Sequence, residues 1–66
     1  MENRKIHECV RDYISEAGIS QKLIAQNANM SEGKLSLVLS GKRKMTVNDY
    51  LNICKAIAVP PTKFLQ

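Results

Sequence analysis

Residues Ile19–Arg43, ISQKLIAQNANMSEGKLSLVLSGKR, decide the fold, because two short helical patterns meet there across a polar corner and the second runs into a basic loop. Ser20 can accept from an unpaired backbone N–H at the start of the first pattern, and Ile24, Ala25 and Ala28 form its inward face. This segment has barely two turns, so it persists only when packed against neighbours. Asn29 falls where the chain must turn sharply, and Asn tolerates the left-handed conformation better than most residues with a Cβ. Met30 then points an apolar side chain inward. Ser31 caps the next helix, about residues 31–40, whose buried stripe is Leu35, Val38 and Leu39 and which Ser40 and Gly41 end. Its opposite face carries Glu32, Gly33, Ser36 and Leu37, with Lys34 at the side; Lys42, Arg43 and Lys44 follow as a basic loop.

Outward from this core the spacing predicts flanking helices. From Asn3 to Ala17, apolar residues fall at Ile6, Cys9, Val10, Tyr13, Ile14 and Ala17, one face of a helix that Gly18 stops. On the other side Thr46 and Asp49 form a capping box with the shorter acid, and Val47, Tyr50, Leu51, Cys54, Ile57 and Ala58 repeat at helical spacing. Pro60 and Pro61 end that helix, and Pro61 can start a last short turn through Thr62, Lys63, Phe64 and Leu65. The expected architecture is all-α, five helices in a single domain over residues 1–66, with no linker and no repeat.

The composition fits. With 66 residues there is room for one small core, and with aromatic residues at 5% it must be built from aliphatic side chains packed between helices. A net charge of +4 and a pI near 9.3 favour a polyanionic partner. Cys9 and Cys54 are far apart, with no C-x-x-C pair and no adjacent His, and both lie on apolar stripes; buried free thiols in a reducing cytoplasm are expected. No stretch is long and apolar enough to span a bilayer, and MENRKIHECV lacks the features of a secretory signal. There is no cluster of His, Cys and acids and no phosphate-cradling glycine run, so neither catalysis, a metal, a cofactor nor a small-molecule ligand is expected.

Two short helices joined by such a corner are what a helix-turn-helix requires: one helix fits the major groove and the preceding one braces it. Ala25 would allow close approach, Asn29 would form the corner, Met30 would lie beneath it, and Leu35 and Val38 would anchor the second helix. The chain also resembles a family on three motifs: Q-x-x-[LI]-A at Gln21, Ile24 and Ala25, S-G-K-R at Ser40 to Arg43, and A-I-A-V at Ala56 to Val59. It looks like the lambda-repressor-like, Cro/C1-type helix-turn-helix family of phage and bacterial regulators, over Val10 to Leu65 without an insertion. The resemblance implies sequence-specific binding of double-stranded DNA by a repressor acting as a homodimer. It implies base contacts from Ser31, Glu32, Gly33, Ser36 and Leu37, phosphate contacts from Gln21, Lys42 and Arg43, and dimer contacts around Pro60, Pro61, Phe64 and Leu65. The chain departs from the family at Asn29 and Ala58, where relatives usually carry Gly.

Physical reading adds Lys34 and Lys44 to the phosphate-binding set and allows Arg4 and Lys5 to extend it from the first helix, although a basic terminal pair is commonly only solvated. Several residues keep two readings. Ser31 is a cap with or without a contact, and Glu32 accepts from a cytosine amino group or only stabilises the helix start. Gly33 permits close approach or frays the first turn. Leu37 meets a thymine methyl or a partner surface, Leu23 packs under the amino-terminal arm or is sticky, and Phe64 and Leu65 pair or close the core. The competing functions are a protein-interaction module of the same fold that has lost specific DNA binding, and the antitoxin of a toxin–antitoxin pair.

Overall fold

The computed structural model describes residues 5–65, which form four α-helices: α1 (Ile6–Ala17), α2 (Gln21–Asn27), α3 (Glu32–Ser40) and α4 (Val47–Ala56). A single 3-10 turn at Pro61–Phe64 follows, and no strand occurs among the described residues. The expected fifth helix is therefore only that turn: Pro60 and Leu65 are both extended, leaving too few residues between them for an α-helical segment. The expected start of the first helix at Asn3, and Arg4 with it, lie outside the described residues.

Each helix begins as its sequence dictates. Glu8 accepts the Lys5 N–H at 3.1 Å, Ser20 and Ser31 cap α2 and α3, and the Thr46–Asp49 box closes in both directions at 3.1 and 3.3 Å. The four ends share one geometry. Gly18, Asn29, Gly41 and Ala58 all have positive φ (69°, 59°, 82° and 59°). In each case the next residue's N–H reaches back over the last turn: Ile19 to Ile14, Met30 to Ala25, Lys42 to Leu37 and Val59 to Cys54, at 2.9–3.2 Å. This is the paired-carbonyl helix stop that satisfies otherwise orphaned acceptors. Asn29 and Ala58 thus occupy left-handed positions despite their Cβ atoms.

α3 packs on α1 and α2, α2 packs on α4, and the 3-10 turn closes against α4 and α1. Val10, Ile14, Ile24, Ala25, Leu35, Val38, Leu39, Ile53 and Ile57 form one buried cluster, which Tyr13, Met30, Tyr50 and Phe64 border. The α2 and α3 stripes are buried as read from the sequence. In α1, Ala17 is exposed, and Cys9 is only half-buried whereas Cys54 is buried. In α4 the stripe is rotated: Val47 and Leu51 face outward, while Ile53, absent from the expected set, is fully buried, and Ala58 lies beyond the helix end, exposed. Tyr50, Ile53, Cys54 and Ile57 make the inward seam, so Val47 and Leu51 belong to an adjacent one.

No helix among the described residues is long and apolar enough to cross a membrane.

Candidate nucleic-acid interface

The corner between α2 and α3 is built from small and inward-facing residues. Ser20 Oγ accepts the Leu23 N–H at 3.4 Å and holds the start of α2, where Gln21 is exposed. Ala25 and Ala28 are buried below the corner, and their small size lets the two helices approach. The Asn29 N–H reaches the Gln26 carbonyl at 3.2 Å, and Met30 is half-buried. Ser31 Oγ accepts the Lys34 N–H at 3.1 Å, so its hydroxyl is engaged as a cap. Leu35, Val38 and Leu39 bury the inner face of α3 almost completely.

The opposite face of α3 has no covering from the described residues. Glu32, Gly33, Ser36 and Leu37 are all exposed, Leu37 by 43%. Gly33 lies within the regular helix Glu32–Ser40, so its turn is formed. A Cβ built there would meet nothing within 4 Å. Leu23 is 52% exposed on α2 and is therefore not packed away by the described part of α1.

Lys34 is directed elsewhere. Its Nζ lies 3.4 Å from Asp49 Oδ1, tying α3 to the first turn of α4. Asp49 is buried, and burial pushes its carboxyl pKa up. Hydrogen bonding to the Thr46 N–H and hydroxyl, with the Lys34 ammonium, outweighs this and holds the pKa below the ordinary carboxylate range. A carboxylate fixed by a capping box thus orients the side chain of a residue on the exposed helix.

The basic loop is anchored through its backbone and free through its side chains. The Leu37 carbonyl accepts from Ser40 Oγ at 3.1 Å and from the N–H groups of Lys42 and Arg43 at 3.0 and 3.2 Å. Gly41, at φ 82°, sits against the His7 ring, whose Nε2 would lie 2.5 Å from an added Cβ. Lys42, Arg43 and Lys44 are exposed and make no ion pair with any described residue. Lys5 is exposed at the start of α1, and Lys22 is exposed beside Gln21 on α2.

The carboxyl-terminal residues divide. Phe64 is half-buried, edge-on to Tyr13 and Tyr50 at centroid distances of 5.7 and 6.5 Å, and so closes the core. Lys63 Nζ stands 4.9 Å over the Tyr13 ring, and the Tyr50 hydroxyl donates to the Pro61 carbonyl. Pro60 is exposed, and Leu65 is 56% exposed. Leu65, Pro61, Val47, Leu51, Met45 and Ile6 line an open apolar groove of about 370 Å³, with Tyr50 and Thr46 at its wall.

Two positional features escape sequence reading. The Lys34–Asp49 pair links residues on different helices and follows no local period, although Asp49 is visible as a cap. The contact of His7 with Gly41 likewise joins distant segments. Comparison of the chain with protein-family models, with curated proteins and with solved structures finds no match among any of them.

Proposed function

We propose that this chain is a sequence-specific double-stranded DNA-binding transcription regulator of the Cro/C1 helix-turn-helix type, a repressor with α3 in the major groove. The observation that carries the reading is a juxtaposition. A capped helix is held over α1 and α2 by its buried face, no described residue covers its outer face, and it leads into a loop whose three cations have no ion-pair partner among the described residues. Such a helix fits the major groove, while Lys42, Arg43 and Lys44 suit the flanking phosphates. Gln21, exposed at the start of α2, would add a further backbone contact. Lys34 serves in this reading as a brace that sets α3 against α4, with its charge shared between Asp49 and solvent.

One such helix reads only a few base pairs, so a dimer on half-sites about 34–36 Å apart is the working form. The apolar groove along α4 and Leu65 supports a pairing surface, with Pro60 nearby and Phe64 acting from beneath through Tyr50. Occupancy of an operator would block transcription without any chemistry.

The test is selection of bound duplexes from a randomised pool at low and moderate salt, followed by sequencing. Enrichment of an inverted repeat is the expected result. Salt-sensitive retention without enrichment leaves only a basic surface, and no retention favours a protein-interaction module using Leu23 and Leu37.

A further inference from the structure

Resting on the DNA-binding reading above, we propose that α3 selects its site through thymine C5-methyl groups, with Leu37 as the residue that contacts them. In the major groove guanine presents two acceptors suited to Arg or Lys, and adenine an acceptor–donor pair suited to Asn or Gln. Cytosine offers an amino donor suited to a carboxylate, and thymine alone offers a methyl group. The helix EGKLSLVLS contains no Arg, Asn or Gln, and its one cation is engaged by Asp49 at 3.4 Å. The usual two-pronged purine readers are therefore missing from α3.

Beside the Glu32 carboxylate and the Ser36 hydroxyl, the outer face offers an apolar side chain. Leu37 is 43% exposed although its neighbours Leu35, Val38 and Leu39 are buried. Its backbone is fixed where α3 meets the basic loop, because its carbonyl takes hydrogen bonds from Ser40, Lys42 and Arg43. Whatever phosphate Lys42 and Arg43 hold, Leu37 is set close to the adjoining bases. Helical side chains lean toward the amino terminus, over the preceding turn. For Leu37 that turn presents Gly33, where no Cβ stands in the way and the space is open. The net charge of +4, with Lys42, Arg43 and Lys44 unpaired among the described residues, commits this face to a polyanion rather than to an apolar protein. On a duplex, the apolar group accessible to such a leucine is the thymine methyl.

Replacing thymine by deoxyuridine removes one methyl and preserves every hydrogen-bonding group. In the duplex selected above, each thymine is replaced in turn and binding is measured for the native chain and for Leu37→Ala. The native chain is expected to lose about fourfold in affinity at one or two thymines per half-site, the effect of one uncovered methyl group. Leu37→Ala, whose thermal melt reports an intact fold, is expected to bind thymine and uracil equally there. Indifference of a still sequence-selective native chain to every replacement overturns the proposal and leaves DNA reading standing. Retention of the same uracil penalty by Leu37→Ala overturns the role of Leu37. Absence of duplex binding by the native chain removes the DNA reading and the proposal together.

Discussion

At the scale of residues, Ala58 and Asn29 are a matched pair: both hold φ 59° to end a helix, yet their side chains are not equally suited to it. A Cβ in the left-handed region costs roughly 1–2 kcal/mol, and Asn offsets part of this where Ala cannot. Ala58→Gly relieves the strain but loosens the unfolded chain, leaving a net gain of about 0.5–1 kcal/mol. In a domain of this size that raises the melting temperature by roughly 4 °C, which calorimetry can read. Asn29→Gly is expected to change it much less; equal gains at both sites would contradict the assignment. Gly33 carries the opposite sign. With open space around it, Gly33→Ala should stabilise the fold by up to about 1 kcal/mol. Duplex affinity, measured in parallel, should fall, because the new methyl intrudes on the face assigned to DNA.

At the scale of elements, much of α2, the corner and α3 is legible in the sequence, because caps, a left-handed Asn and a strict apolar stripe all fall within a few residues of one another. α4 is less so. Its apolar residues cover two adjacent seams, and periodicity alone cannot say that Ile53 faces the core while Val47 and Leu51 face outward. The Lys34–Asp49 brace is hidden for a different reason, since ion pairing between helices leaves no local pattern. Because the folded Asp49 carboxyl titrates below its ordinary value, its stabilising effect is complete above the unfolded value, about pH 3.9, and is lost as pH falls through the folded one. Asp49→Asn should lower stability at neutral pH by about 1–2 kcal/mol. It should also flatten the loss on acidification below about pH 4, as thermal melts across that range would show. An unchanged acid profile would mean that Asp49 has no such role.

At the scale of the whole molecule, the proposed function gives DNA reading to the uncovered face of α3 and pairing to the apolar groove. The readable part of this division was the basic loop; the groove depends on how α1, α4 and the 3-10 turn converge, which composition does not encode. Leu51→Glu places a charge in the groove at a site 42% exposed, where the fold should tolerate it. Its affinity for an inverted repeat is expected to fall at least about tenfold, equivalent to about 1.4 kcal/mol. Its affinity for an isolated half-site should match that of the native chain. Equal losses on both duplexes would move the groove from pairing to the DNA contact itself.

The central claim is that α3 and the loop after it form the DNA-contacting face, and a backbone amide NMR titration with a selected duplex tests it most directly. The expected shifts centre on Gln21, Ser31–Leu37 and Lys42–Lys44 and weaken as salt rises. Shifts centred instead on Val47, Leu51 and Leu65, with α3 unperturbed, would contradict it.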